Sequence, residues 1–342
     1  MGNNQSNKKE QTNYPVNPNP LIVLTYNIWF EGGFHKPPTT PPPTEAPPNE
    51  KAVARGKRLL ALETQYAARA FEVRMHAVID ILLSSNADVI NLQEVTAWSE
   101  EMIKTHPQLM EKYFVSSNAV GRYGVLQLAL KTRHPTFTTI AMPTNMGRDL
   151  LAVQVFVGDN KPVLVCGAHF ESLSSAPIRK EQLQVASITM KDFSNSILCG
   201  DFNFCSYRNY DRSNLILEND VLMEVLPDYD DVWSTIVWPK KKNTTGNETK
   251  TEECPTTPTS KDKGFTFDSE RNVNIRQNER MRYDRILSKV VDLSPTSIRL
   301  IGDDIIVKDG NRSFHPSDHF GLICTFDLVE STTSNDGDGD EL

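Results

Sequence analysis

Short apolar runs separated by polar segments recur along the chain, and runs of this length predict buried β-strands. The first run is LIVLT at residues 21–25, and the second is DVINL at residues 88–92. Later runs predict further strands at residues 123–130, 151–157, 162–168, 197–200, 282–287, 297–301 and 321–328. The chain is therefore predicted to be rich in β-sheet.

Two segments carry a helical pattern instead. Residues 58–85 repeat apolar positions at helical spacing, among them Phe71 and Val78. Residues 177–192 predict a second helix, in which Pro177 suits the first turn. Strands interspersed with helices predict an α/β or α+β fold.

Polar tracts divide this pattern. Residues 1–20 are rich in Asn and Pro and are expected to be a disordered tail, and residues 331–342 are an acidic tail. The proline tract 37–50 and the polar tract 240–263 predict low-complexity insertions that do not pack into a core. No repeat and no second core are evident, so we expect one catalytic domain over residues 21–330.

Acidic residues exceed basic ones, and the formal net charge of the 342 residues is −8. This balance argues against sequence-independent nucleic-acid binding, which depends on Lys and Arg, but it leaves room for a local basic groove. The five cysteines are scattered and lack CxxC spacing, which indicates reduced thiols rather than a disulfide framework or a zinc site. No signal peptide or membrane-spanning run is evident, so we expect an intracellular protein that is not secreted.

The N-terminus MGNNQSNKKE admits two interpretations. Gly2 and Ser6 match the N-myristoylation pattern, and a myristoyl group on Gly2 would give weak membrane contact. One chain is a marginal anchor, and Lys8 and Lys9 form only a small basic patch beside it. The alternative is a plain polar tail, since so short a pattern matches often by chance.

Four segments place a polar residue suited to a metal or a phosphate beside an apolar strand. They are TYN at 25–27, LQE at 92–94, GDFN at 200–203 and SDH at 317–319. Strand ends present side chains to a cleft from a rigid sheet, which is where ligands of α/β sheets bind. Each segment alone is typical of a turn or a cap, but the four together indicate one site.

The residue types in these segments suit phosphodiester cleavage, which needs a cation, an oriented water and donors to the phosphate oxygens. Glu94 is the best candidate for the carboxylate that Mg²⁺ prefers, and Asn27 offers an amide oxygen. An oxygen-rich site of this kind also accepts Mn²⁺.

The remaining polar residues suit the other roles. Asp201 is placed to align or deprotonate water, and Asn203 to hold the water or the phosphate. His319 is a candidate donor to a phosphate oxygen, and such a histidine needs a carboxylate partner to hold its proton. Asp284 in RYDR, within the predicted strand 282–287, is the candidate partner.

The ordered series TYN, LQEV, GAHFES, GDFN, RYDR and PSDHFG resembles the motifs of the endonuclease/exonuclease/phosphatase superfamily over residues 21–328. Within it the chain most resembles the 5′-tyrosyl-DNA phosphodiesterases. MGRDLL at 146–151, HFES at 169–172, DVW at 231–233 and GFTFD at 264–268 follow that family's order, and TYNIWFE resembles its plant-like form. This resemblance implies an α+β sandwich: two packed mixed β-sheets flanked by helices, in a single catalytic domain.

The resemblance also implies roles for individual residues. Glu94 would be the principal Mg²⁺ ligand, with Asn27 nearby and Asp318 reaching the metal through water. Asp201 and Asn203 would orient or activate the attacking water. His169 and His319 would contact the phosphate. Asp284 would pair with His319. The substrate groove would be lined by Arg148, Ser172 and Phe267.

The implied reaction is an in-line attack of water that frees a 5′-phosphate from a tyrosyl adduct. The implied partners are DNA with a single-stranded 5′ end that carries the adduct, and the covalent remnant of a trapped topoisomerase 2. All the motifs lie in one chain, so we expect a monomer, resident in the nucleus, the cytoplasm or both. This reaction would belong to DNA repair.

Two departures from the family pattern bear on the substrate. Phe204 and Cys205 stand where animal members have Leu-Arg, and Arg208 or Arg212 is the candidate replacement for that arginine. Phe267 stands where animal members have Trp, which predicts a weaker stacking surface for a base.

Competing functions remain open. The same metal mechanism would also serve an abasic site, an RNA end, a phosphoinositide or a sphingolipid. A catalytically inactive binding module is disfavoured because all the expected catalytic residues are present.

Overall fold

The computed structural model describes residues 20–36, 40–47, 50–117, 122–209, 216–238 and 263–329. Several predictions fall outside this part of the chain. They concern residues 1–19 of the N-terminal tail with Gly2, residues 240–262 of the second insertion, the acidic tail 331–342, and Arg212. Of the proline tract, residues 40–47 are described and contain neither helix nor strand.

Two six-stranded sheets form the centre of the domain. The first has the order β13-β16-β1-β2-β4-β3 and the second the order β5-β6-β7-β8-β12-β9. The strands are β1 (Leu21–Asn27), β2 (Val89–Val95), β3 (Tyr113–Val115), β4 (Gly124–Leu130), β5 (Thr136–Ala141), β6 (Asp149–Val157), β7 (Lys161–His169), β8 (Ser196–Asp201), β9 (Asp230–Asp231), β10 (Phe267–Asp268), β11 (Arg280–Met281), β12 (Asp284–Lys289), β13 (Leu293–Ile301), β14 (Val307–Asp309), β15 (Arg312–Phe314) and β16 (Gly321–Leu328). Strands β10 with β11 and β14 with β15 form two small separate ribbons.

Helices flank the sheets. They are α1 (Ala52–Ser85), α2 (Ala97–Thr105), α3 (Pro107–Lys112), α4 (Ala176–Met190), α5 (Asp220–Val225) and α6 (Val232–Val237), with one 3₁₀ turn at Lys131–Arg133. Each sheet is mixed, because β1 pairs with β2 and β7 with β8 in parallel while their other neighbours are antiparallel. The predicted α+β sandwich of two packed mixed sheets is confirmed.

Helix α1 follows from its sequence pattern. Phe71, Met75, Val78 and Leu82 are fully buried, as their helical spacing predicts. The helix begins earlier than predicted, at Ala52, because its first turns are exposed and carry no apolar stripe for the pattern to detect.

Three apolar layers hold the sandwich together. The middle layer lies between the sheets and includes Val23, Val165, Ile197 and Phe326, all fully buried. One outer layer packs α1 and α2 against the first sheet, and the other packs α4 and α5 against the second. Burial of large aliphatic and aromatic side chains on both faces of each sheet is the main stabilising contribution.

Strand register brings the predicted site residues to one edge of the sandwich. Parallel pairing places Asn27 opposite Gln93 and His169 opposite Asp201. Antiparallel pairing of β12 with β8 places Asp284 opposite Asp201. The two sheets therefore present their polar strand ends on the same side.

The described cysteines, Cys166, Cys199, Cys205 and Cys324, are buried and free of disulfides. Within the described residues, no helix has the length and apolar character needed to cross a membrane.

Candidate active site

Asp201 lies at the centre of the polar edge, at the end of β8. Its Oδ2 atom accepts a hydrogen bond from Nδ2 of Asn27 at 3.0 Å and lies 3.5 Å from Nε2 of His169 and 3.9 Å from Nε2 of His319. Burial would raise the pKa of this carboxyl, but the two histidines and the bonds from Asn27 and Asn203 outweigh burial and lower it. Asp201 is therefore held as a carboxylate.

His319 and Asp284 form a buried pair. Nδ1 of His319 lies 2.7 Å from Oδ2 of Asp284, at the beginning of β12. Burial disfavours the imidazolium, but the charge and hydrogen bond of Asp284, with the charges of Asp201 and Asp318, raise the pKa of His319 well above its usual value. The bond to Asp284 leaves Nε2–H of His319 directed toward Asp201.

His169 is held by Arg148. The guanidinium Nη1 lies 3.1 Å from Nδ1 of His169, and because arginine only donates, Nδ1 must accept and the ring proton lies on Nε2. Burial and the charge of Arg148 lower the pKa of His169 to about 3, so the ring is neutral at physiological pH. Arg148 in turn donates to the hydroxyl of Tyr123 at 3.3 Å.

Glu94 lies at the end of β2 in a left-handed backbone conformation, with φ of +61°. Its Oε2 accepts the backbone N–H of Phe30 at 3.0 Å. Burial raises its pKa to about 7, and the negative charge of Asp318 adds to the effect. Backbone strain of this kind persists where the surrounding structure fixes it, and it clusters at functional sites.

The carboxylates at this edge suit a hard divalent cation. The negative charge of Asp318 raises the pKa of Glu94, so ionising both carboxyls is costly, and burial raises the pKa of Asp318 as well. A cation between them would relieve this repulsion.

A second group, Asp201, Asp284 and His319, has ligand atoms within 4.8 Å of one another. There the imidazole is already bonded to Asp284, and its raised pKa keeps it protonated, which opposes metal binding. Glu94 and Asp318 are therefore the better candidates for the metal.

Asn203 adds a second residue with positive φ, at +55°. Its backbone N–H donates to Oδ1 of Asp201 at 2.8 Å, and its side-chain Nδ2 donates to the carbonyl of Phe170 at 2.9 Å. The turn after β8 therefore fixes both Asp201 and the amide of Asn203 in place.

The residues predicted to contact substrate lie around this centre. Phe267 is 7% exposed, and its ring meets the His319 ring edge to face at 5.2 Å. Ser172 donates to the sulfur of Met146 at 3.1 Å. Arg208, one candidate for the substrate-groove arginine, donates instead to the carbonyl of Arg280 at 3.2 Å.

Sequence reasoning assigned no role to three residues that hold the site. Ser317 donates to the carbonyl of Asn27 at 2.6 Å and accepts from the N–H of His319 at 3.1 Å, which ties the ends of two strands together. Thr266 accepts from the N–H of Asp284 at 3.0 Å. Ser317 lies in the SDH segment and Thr266 in the GFTFD segment, so their position in these motifs could have indicated a role. Nothing in the sequence marks Tyr123.

Known proteins have similar sequences. The chain is 27% identical over 270 residues to tyrosyl-DNA phosphodiesterase 2 of Xenopus laevis, covering 75% of this chain and 62% of that protein. It is 27% identical over 269 residues to the Homo sapiens protein of the same name, covering 75% and 64%. The chain thus spans a little under two thirds of these relatives.

Solved structures share the fold. A crystal structure of D. rerio TDP2 complexed with single-strand DNA product superposes with a TM-score of 0.60 at 20% identity, covering 90% of this chain and 98% of that one. The sequence model of the Endonuclease/Exonuclease/phosphatase family matches residues 24–319. The chain belongs to the endonuclease/exonuclease/phosphatase family.

Proposed function

We propose that this chain is a Mg²⁺-dependent 5′-tyrosyl-DNA phosphodiesterase. It would hydrolyse the bond between a DNA 5′-phosphate and the tyrosine of a trapped topoisomerase 2 remnant, and leave a 5′-phosphate for DNA repair. The observation that carries the proposal is the convergence of Asn27, His169 and His319 on one carboxylate oxygen of Asp201. The likeness to tyrosyl-DNA phosphodiesterase 2 relatives supports the choice of substrate.

Asp201 is the residue that acts on water. Its lowered pKa keeps it ionised, so it can accept a proton from water or align water for attack on phosphorus. The bond from Asn27 at 3.0 Å and the N–H of Asn203 at 2.8 Å fix both carboxylate oxygens. A carboxylate fixed in this way loses little freedom on reaching the transition state.

The two histidines supply donors to the phosphate. Both direct Nε2 toward Asp201, at 3.5 Å for His169 and 3.9 Å for His319. His169 offers a neutral N–H, because Arg148 occupies its Nδ1, whereas His319 offers a charged one supported by Asp284. Two oriented donors stabilise the charge that develops on the phosphate oxygens in the transition state.

Glu94 and Asp318 would hold the metal, with the amide of Asn27 nearby. When bound, Mg²⁺ would neutralise the developing negative charge on the phosphate and the leaving oxygen, and Mn²⁺ would substitute for it. The raised pKa of Glu94 makes ionisation of the apo site costly near neutral pH, so cation binding and proton release are coupled.

The first test is cleavage of a 5′-phosphotyrosyl single-stranded oligonucleotide with Mg²⁺ or with EDTA. An abasic-site duplex, a 3′-tyrosyl oligonucleotide, an RNA 3′ end, a phosphoinositide and a sphingolipid serve as parallel substrates. Selective, EDTA-sensitive release from the 5′ end is the expected result. Preferential cleavage of any other substrate would reject the proposed substrate while keeping the hydrolytic site.

Oligomeric state and location follow as parts of the same proposal. We propose a monomer resident in the nucleus, the cytoplasm or both, with a weak membrane contact only where Gly2 is myristoylated. Light scattering of the purified chain and imaging of a tagged chain with and without Gly2→Ala would test these statements.

A further inference from the structure

A buried ion cluster lies on β9 and β12, beside the catalytic edge. Asp231, on β9, accepts from Nη1 of Arg282 at 2.8 Å through Oδ1 and from Nη2 at 2.5 Å through Oδ2. The same Oδ2 accepts from Nε and Nη2 of Arg285, at 3.1 and 2.5 Å. Both guanidinium groups are almost fully buried, at 1% and 2% exposure of their side chains. One carboxylate therefore holds two arginines in fixed positions.

Both arginines reach the turn that follows Asp201. Arg282 donates through Nε to the hydroxyl of Ser206 at 2.9 Å, and its backbone N–H donates to the sulfur of Cys205 at 3.2 Å. Arg285 lies over the rings of Phe202 and Phe204, at 5.7 and 5.6 Å from their centroids. These two rings flank Asn203, so the turn that presents Asp201 and Asn203 rests on the two guanidinium groups.

The same arginines flank Asp284 in the chain. Arg285 follows Asp284 directly, within the register that pairs Asp284 with Asp201 and Arg285 with Gly200. Arg282 precedes Asp284 by two residues, where the chain enters β12. Displacement of either guanidinium would therefore shift the carboxylate that holds His319.

We propose that Asp231 is a positioning residue for the hydrolytic reaction. It fixes Arg282 and Arg285, and through them sets the water-directing pair Asp201–Asn203 and the donor pair Asp284–His319 in one arrangement. This inference rests on the proposed hydrolytic function but not on the identity of the leaving group. The carboxylate of Asp231 in DVW then connects this motif to the two arginines of RYDR.

The test compares Asp231→Asn with Val157→Ala, assayed well below their unfolding temperatures. Val157 is fully buried at the end of β6 that lies away from the catalytic edge, so Val157→Ala is a control for general loss of stability. The substrate is thymidine 5′-(4-nitrophenyl phosphate), a chromogenic phosphodiester, so a wrong assignment of the natural substrate does not spoil the comparison. If the wild type leaves both this diester and the tyrosyl oligonucleotide intact, the proposed function fails. The NMR signal of Nδ1–H of His319 then still tests the positioning role of Asp231.

For Asp231→Asn we expect kcat to fall about 10–100-fold with KM nearly unchanged, as when the partners that orient a reactive group are removed. Val157→Ala should retain the kcat of the wild type. The low-field NMR signal of Nδ1–H of His319, identified by its loss in His319→Asn, should shift in Asp231→Asn and stay in place in Val157→Ala. Equal kcat in the two variants with an unmoved signal would overturn the proposal.

Ser206→Ala provides a second variant should Asp231→Asn not fold. It removes one acceptor of Arg282 and leaves the Asp231 ion pairs intact. We expect a several-fold lower kcat and an unchanged KM, with a fall in stability of about 1–3 kcal/mol because Nε and Nη2 of Arg282 lose their acceptor. Full activity in folded Ser206→Ala would reject the step from the cluster to the turn after Asp201.

Discussion

Nδ1 of His319 lies 2.7 Å from Oδ2 of Asp284, and both groups are buried where β16 and β12 begin. Asp284 begins β12 of the second sheet and His319 lies two residues before β16 of the first, so their pairing joins the two halves of the sandwich at the catalytic edge. It also decides which nitrogen of His319 is free, because Nδ1 is occupied and Nε2 points toward Asp201 at 3.9 Å.

Replacement of Asp284 by Asn should therefore disable His319 without removing it. The neutral amide keeps the shape but removes the charge that raises the pKa of His319. We expect kcat to fall about 10²–10⁴-fold, the range for loss of one acid–base group, with a smaller change in KM. Steady-state kinetics on the 5′-tyrosyl oligonucleotide would measure both, and a kcat within a few-fold of wild type would show that the pair is only structural.

Glu94→Gln should separate metal binding from folding. The folded pKa of Glu94, raised to about 7 by burial and by Asp318, means that ionised Glu94 destabilises the apo fold as pH rises above the unfolded pKa. At pH 8 in EDTA the variant should be more stable than wild type, by roughly 1–3 kcal/mol. Urea denaturation measures this difference.

The same variant should lose the response to metal. Wild type should gain stability on addition of Mg²⁺ because the ion binds only the folded state, while Glu94→Gln should gain little. Asp228→Asn, a change outside the site, is the matched control. An equal Mg²⁺ shift in Glu94→Gln and wild type would remove Glu94 from the metal site.

In Arg148→Met, the tautomer of His169 should no longer be fixed. In wild type Nδ1 accepts from Arg148 at 3.1 Å, so ¹⁵N NMR should show a neutral ring protonated at Nε2 from pH 5 to pH 8. Loss of the guanidinium removes both the donor and a charge that lowers the pKa of His169, so the variant should show mixed tautomers. Unchanged ¹⁵N shifts would mean that packing alone fixes the ring.

The sequence predicts the central strands and the long helix well, because their apolar runs are buried on both faces. Strands β3 and β5 were not predicted. Strand β5 is TFTTIA, an edge strand with an exposed Thr face, and β3 has three residues, so neither carries a distinct apolar run. Their pairing depends on β6 and β4, which no local pattern reveals.

For the site, motif order anticipated the convergence of Asn27, Asp201 and His319 at one edge. The contacts of Arg148 did not follow from sequence, because its bond to His169 depends on how the segment before β6 meets the end of β7. The same holds for Asp231, whose two arginines lie far along the chain. Contacts of this kind need tertiary register, which sequence spacing does not contain.

Gly200→Ala should disrupt the approach of β8 to β7. Gly200 has φ of +140°, and a Cβ there would lie 1.9 Å from the carbonyl oxygen of Ala168. Since that oxygen belongs to the neighbouring strand backbone, the strands must separate, and we expect a loss of at least about 3 kcal/mol. Gly310→Ala, where a Cβ has open space, is the matched control for positive φ. Similar denaturation midpoints for the two variants would contradict this account.

Asp231 should also impose a pH dependence on stability. Burial would raise its pKa, but Arg282 and Arg285 outweigh burial and hold the pKa well below its usual range. A depressed folded pKa contributes stability above the unfolded pKa of about 3.9, and this contribution is lost as pH falls toward the folded pKa. At pH 7, Asp231→Asn should therefore be less stable than wild type by about 3–5 kcal/mol, since it leaves two buried guanidinium groups without their anion. The difference should shrink as pH falls below about 4, because there the Asp231 carboxyl of the unfolded wild type takes up a proton while that of the folded protein stays ionised. Urea denaturation of both proteins at pH 7, 5 and 3.5 would measure it, and a difference that grows toward acid pH would show that the two arginines do not govern the ionisation of Asp231.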